Sequence, residues 1–201
     1  MRVSTIASTL ALAASGVQAQ YYANQSAPFY LVLSSQNETL NGTTLSSYHE
    51  GAAIESFGLG GPLSTASVEY TFNYSIQSWQ DPPPTGVNLT GLLTWELRGG
   101  NFNLSSPMQL SYTPSSNVAV PLLEPSDDGT LVAFDDENKL TILSYQDDTK
   151  PLPNYAVTPT YNWYVCTTYV GYLYQTLAWV VGNAEPQNPT CQKVDVLRIF
   201  K

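Results

Sequence analysis

Histidine occurs once in this chain, at position 49, cysteine twice, and Lys and Arg together only seven times in 201 residues. A lone histidine permits a Ser–His–Asp relay only if His49 is itself the base, and it removes any site built on two imidazoles. Copper-dependent polysaccharide oxidases, whose mature chain begins with histidine, are excluded by the same count. No G-x-S-x-G elbow is present. Two cysteines and one histidine do not complete a four-ligand zinc site. Between Gln20 and Gln192 the basic side chains are Arg98, Lys139 and Lys150. Phosphate backbones require a basic stripe, so nucleic acid is excluded as a partner, and anionic membrane surfaces are disfavoured for the same reason. Charged residues make up 11% of the chain, against about a quarter in ordinary globular proteins. Also missing is any long amphipathic run with the helical period.

What is present begins with an export signature. "MRVSTIASTLALAASGVQA" carries a positive start at Arg2 and an apolar stretch from Val3 to Val17. Small residues at Val17 and Ala19 place a signal-peptidase site after Ala19. Residues 1–19 are therefore expected to be a signal peptide and 20–201 a single secreted β-domain. Six N-x-S/T acceptors follow: Asn24, Asn37, Asn41, Asn73, Asn88 and Asn103; Asn188 precedes Pro189 and does not qualify. Six acceptors behind a signal peptide predict a glycosylated N-terminal half, with those positions facing water. In an oxidising compartment Cys166 and Cys191 are expected to form one disulfide.

Fourteen tyrosines and four tryptophans argue against disorder. The clearest strand is "SVEYTFNYSIQSW" from Ser67. Val68, Tyr70, Phe72, Tyr74 and Ile76 fall on one face, and Glu69, Thr71, Asn73, Ser75 and Gln77 on the other. Further strands are expected at 28–35, 51–60, 89–98, 108–112, 117–122 and 194–200. Turn formers such as Asn41-Gly42, Gly60-Gly61-Pro62 and Asp81-Pro82-Pro83-Pro84 separate several of them. Leu131–Phe134 and Lys139–Tyr145 flank the acidic turn Asp135-Asp136-Glu137-Asn138, which predicts a hairpin. The uncharged stretch "NWYVCTTYVGYLYQTLAWVV" from residue 162 is too rich in Thr, Tyr and Gly for a membrane helix. It reads as two strands, about 161–170 and 172–181, turning near Gly171; with both faces aromatic or β-branched, the pair is placed centrally in the sheet. The fold class expected is all-β: one antiparallel β-sandwich or β-barrel domain with one disulfide.

Candidate chemistry is sparse. In "SSYHEGAAIES" His49 and Glu50 are adjacent, so on a strand they face opposite ways and make no dyad; His49 reads as a polar turn or rim residue. Eight of the sixteen acidic residues lie between Glu124 and Asp148, but their spacing does not match a calcium-binding helix–loop–helix, so no metal is assigned. A glycosidase needs two carboxylates across a cleft, and Glu69 and Glu96 are the candidates on expected strands. Tyr21, Tyr22, Trp79, Tyr155 and Tyr161 lie near loops or termini and are candidate rings for stacking on sugars. No catalytic residue and no cofactor is assigned.

Three stretches, "LNGTTLSSYHEGAAIES" at 40–56, "DDGTLVAFDDENKL" at 127–140 and "NWYVCTTYVGYLYQTLAWVVG…PQNPTCQKV", together resemble short secreted fungal proteins. The last is similar to the W-x-x-C…Tyr…C ending of fungal cell-wall proteins of the phiA type. The resemblance implies a fungal source and a wall or extracellular location, and it supplies no catalytic residues. The function expected is a secreted, glycosylated, non-catalytic protein, with a carbohydrate-binding module and a small glycosidase as alternatives; a cell-wall polysaccharide is the partner expected.

Overall fold

The computed structural model of this chain describes residues 22, 24–75, 86–87 and 89–201. The expected signal segment 1–19, Tyr21, Trp79 and the acceptor Asn88 lie outside the described residues. The strands are β1 (Asn24–Gln25), β2 (Phe29–Ser34), β3 (Thr43–Gly51), β4 (Ile54–Pro62), β5 (Thr71–Tyr74), β6 (Gly91–Arg98), β7 (Asn103–Ser111) and β8 (Val118–Leu123). They continue as β9 (Leu131–Phe134), β10 (Leu140–Gln146), β11 (Tyr155–Thr160), β12 (Trp163–Tyr169), β13 (Leu173–Val180), β14 (Gln192–Lys193) and β15 (Asp195–Phe200). Among the described residues the helical content is one 3-10 turn, Leu63–Thr65, and no helix is long and apolar enough to cross a membrane.

All pairings between these strands are antiparallel. The main path runs β11-β10-β9-β6-β7-β8-β13-β4-β3-β2-β15. It forks in two places. The far side of β8 is shared, with Val118 and Ala119 facing β13 and Leu122 and Leu123 facing β4. The first residues of β6 lie between β5 and β9, and its later residues run along β7. Forks let a sheet curl, because strands diverge where a flat ladder would stay in register. The result is one curled sheet, a half-barrel, rather than two stacked layers. Its ends approach each other where Lys139 bridges Leu197 and the Arg198 amide donates to the Asn138 carbonyl at 2.9 Å.

Alternate-residue burial builds the inner face. Phe29, Leu31 and Leu33 of β2 enter the core, as do Tyr70 and Phe72 on the segment read as the clearest strand. Phe134 is the hub, meeting Phe29 and Phe72 edge-on with ring centroids 5.6 and 5.4 Å apart. Trp163 lies across Trp179 at 4.7 Å and donates its indole N–H to the Leu140 carbonyl at 2.9 Å, which satisfies a buried donor. The uncharged stretch from residue 162 folds as the β12–β13 hairpin. Asn138 sits at φ +64° in the acidic β9–β10 turn, a conformation asparagine tolerates better than most side chains.

Three expectations need correction. Residues 43–51, where no strand was expected and His49 was read as a turn or rim residue, form β3, because Thr44 and Leu45 are buried against the opposite strand although the local pattern is polar. Tyr155–Thr160 also forms a strand, an exposed edge supported only by the register with β10. Finally, among the described residues of the stretch from Ser67, Thr71–Tyr74 form β5, Ser67–Glu69 lie outside it and Tyr70 joins through one isolated bridge to Phe29; residues 76–79 lie outside the described residues.

Cys166 and Cys191 are bonded, with Cα atoms 4.1 Å apart and a sequence separation of 25. The bond ties buried β12 to the short segment β14, which pairs with Tyr164 and Val165. Replacing both cysteines with serine is expected to lower unfolding free energy by about 3–4 kcal/mol in the chain-entropy picture, read by denaturant titration. Tyr70 offers the opposite test. Its ring stacks on Phe57 in the core, while its hydroxyl has no hydrogen-bond partner among the described residues, and burial pushes the phenol far above its usual range. Tyr70→Phe is expected to raise stability by about 1 kcal/mol, since it deletes an unpaired buried hydroxyl. Thermal unfolding of the variant reads the sign.

Candidate functional site

The β12–β13 turn carries exposed rings close together in sequence. Tyr169 is 74% exposed, Tyr172 51% and Leu173 68%. The expectation of a pair lying centrally in the sheet holds for only part of β13: it is buried from Thr176 onward, where β4 and β8 flank it, while its start projects beyond them. Behind the exposed rings stand two more. Tyr174 meets Tyr48 edge-on at 5.1 Å, and Tyr172 lies 5.8 Å from Tyr174 and 6.3 Å from the His49 ring. Tyr48 is fixed by its hydroxyl, which donates to the Leu59 carbonyl at 2.7 Å.

The turn is pinned from below by Glu50, which is 6% exposed. One carboxylate oxygen accepts the Ser56 hydroxyl at 2.7 Å; the other accepts the backbone amides of Gly171 and Tyr172, each at 3.0 Å. Three donors offset the cost of burying a carboxylate. Glycine at 171 is required by space: a Cβ there would lie 1.8 Å from the Glu50 carbonyl oxygen. His49 and Glu50 do face opposite ways, His49 outward against Glu55 at 3.2 Å and Glu50 inward. Sequence reading missed Glu50 because its partners lie 121 and 122 residues away; the one local signal was a glycine between two tyrosine-rich strands.

Glu69 and Glu96 are brought together. Glu69 lies two residues before β5 and Glu96 within β6. Both line two adjoining clefts of about 280 and 310 Å3, with Trp95 and Arg98 shared between them. Each carboxylate is engaged by its own cation, Glu69 by Lys201 at 2.8 Å and Glu96 by Arg98 at 2.7 Å. The sequon asparagine Asn103 lines the first of these clefts, and Asn73 accepts from the Gln25 amide at 2.9 Å nearby.

The acidic hairpin is a structural turn. Asp135 accepts the amides of Glu137 and Lys139 at 2.9 and 2.8 Å through one oxygen, and the Tyr161 hydroxyl at 2.9 Å through the other. Burial first, then that hydrogen bond, push the Tyr161 phenol up to about 12. Among the described residues no group of three or more His, Cys, Asp or Glu side chains is set to hold a metal ion. Of the candidate stacking rings, Tyr155 is 84% exposed on edge strand β11, whereas Tyr22 and Tyr161 are half-buried.

A family model described as Domain of unknown function (DUF7907) matches residues 26–200, and the chain belongs to that family. No curated protein and no solved structure matches it.

Glu50→Ala is expected to cost about 2–3 kcal/mol, since it strands two amides and a hydroxyl in a part-buried joint. Amide hydrogen exchange at Gly171 and Tyr172 should accelerate more than at the core strands. Equal acceleration everywhere would show that the carboxylate does not pin the turn.

Proposed function

We propose that this member of the DUF7907 family is an exported, N-glycosylated, non-catalytic protein of the cell wall or extracellular space that holds carbohydrate on its β12–β13 turn. The observation that carries the reading is a pair of outward tyrosine rings, Tyr169 and Tyr172, on a turn fixed by buried Glu50. Sugar rings present apolar faces that stack on aromatic planes, and a pinned platform loses little entropy on binding. The six acceptor asparagines all fall within residues 24–103, so the β12–β13 turn carries none of them. The disulfide suits an oxidising compartment, and the resemblance to wall proteins of the phiA type supports the location. A formal charge of −9 favours a neutral polysaccharide over an acidic one.

A second reading, hydrolysis of a glycosidic bond, is favoured by one observation: Glu69 and Glu96 share both clefts. The two readings separate in one set of assays. Retention of the purified protein on insoluble wall polysaccharides is expected to fall at least about tenfold in Tyr169→Ala/Tyr172→Ala, a loss of about 1.4 kcal/mol, with thermal stability unchanged. Glu69→Gln and Glu96→Gln should leave retention intact, and no reducing ends should be released by any form. Retention that survives loss of both tyrosines defeats the stacking platform. Reducing ends released by the native chain and abolished by Glu96→Gln would replace it with the hydrolase.

A further inference from the structure

The acceptor Asn37 is placed unlike an ordinary surface sequon. Its side chain is half-buried on the wall of a cleft of about 590 Å3, between the end of β2 and the β14–β15 segment, lined also by Ser35, Gln36, Gln192, Lys193 and Asp195. That volume lies within the roughly 300–1,000 Å3 that holds small ligands, and the walls combine hydroxyls, amides and charges with apolar surface, Val194 included. The plane of the Asn37 amide is fixed. Its Oδ1 accepts the Thr39 amide at 2.9 Å and the Thr39 hydroxyl at 2.8 Å. With Oδ1 held on the Thr39 side, Nδ2 must point away from it, and it donates to Gln192 Oε1 across the cleft. A substituent on Nδ2 therefore starts inside the cleft.

The same turn recurs at 188–190, where Thr190 donates its amide and hydroxyl to Asn188 Oδ1 at 3.0 and 2.7 Å. There Nδ2 is spent on the Thr167 carbonyl at 2.9 Å, in the joint that sets Cys191 against Cys166. At that position the middle residue is proline, which bars an acceptor. At Asn37, where the amide borders open volume, the middle residue is Glu38 and the acceptor is intact.

We propose that the Ser35–Asn37/Gln192–Asp195 cleft is the seat of the first N-acetylglucosamine residues of a glycan carried by Asn37. The inference rests on the export and glycosylation part of the proposed function. In the modification, the anomeric carbon of N-acetylglucosamine leaves its glycosyl-pyrophosphate donor and bonds to Nδ2. One Nδ2 proton is lost and the pyrophosphate departs. Gln192 lies 155 residues downstream of Asn37, so transfer onto the emerging chain precedes closure of the cleft, and β14 then docks over the sugar.

The test is site-resolved mass spectrometry of protein secreted from a glycosylating host, combined with timed enzymatic release of glycans from the native fold. Asn37 is expected to be occupied. Its glycan should be released at least about tenfold more slowly than those on the exposed Asn41 and Asn103, the ratio given by a local opening cost of about 1.4 kcal/mol. The difference should vanish after reduction and unfolding, and shrink in Gln192→Ala. An empty Asn37 beside filled Asn41 and Asn103, or release at the same rate from all three, overturns the seat while leaving the export reading intact. Empty acceptors throughout overturn both.

Discussion

The constraint on which this fold depends is that every second side chain of its strands must find the inside of a single curled sheet. Phe29, Leu31 and Leu33 from one end of the path, Phe57 and Leu177 from the middle, and Phe134 and Leu140 from the other end all meet in one core. A flat sheet would expose that face, since no helix among the described residues is available to cover it. Curling is thus the means by which an all-strand chain covers itself. The forks at β6 and β8, where one strand serves two neighbours in succession, make the bend possible without abandoning backbone hydrogen bonds.

Against that background the polar groups of the interior divide sharply. Glu50 is buried with all the donors it needs and fixes a turn. The Trp163 indole and the Thr168–Thr176 hydroxyl pair, 2.7 Å apart, are likewise satisfied. The Tyr70 hydroxyl finds no partner among the described residues. The difference follows from position. Glu50 and Thr168 lie toward the β12–β13 turn, where loop amides and other hydroxyls are close at hand, whereas the Tyr70 ring stacks on Phe57 inside the apolar centre.

Much of the strand content could be read from the sequence, because period-2 alternation and turn formers are local signals. Phe29–Ser34, Gly91–Arg98 and Val118–Leu123 fall close to their expected places. The disulfide was readable from cysteine arithmetic alone. Thr43–Gly51 escaped because its alternation is written in Thr, Ser and Tyr, whose burial depends on what lies opposite. The exposure of Tyr169 and Tyr172 was not legible for a related reason: uncharged composition cannot distinguish a strand end that projects from one that is covered. Glu96 lies on a strand as expected, whereas Glu69 falls just before β5; their sharing of two clefts and their separate cationic partners depend on the tertiary fold. The same holds for Asn37, whose sequon is visible in three letters while its cleft requires residues 192–195.

The pairing of β15 with β2, six residues against six from Asp195↔Ser34 to Phe200↔Phe29, joins segments at opposite ends of the described chain. A ladder spanning so much sequence bears a large loop-closure cost before any of its hydrogen bonds forms. During synthesis β2 therefore leaves the ribosome long before its partner exists. Until then its apolar edge, Phe29-Tyr30-Leu31-Val32-Leu33, stands open to pairing with a neighbouring chain. Folding of this chain is consequently a race between the arrival of β15 and self-association through the open edge of β2.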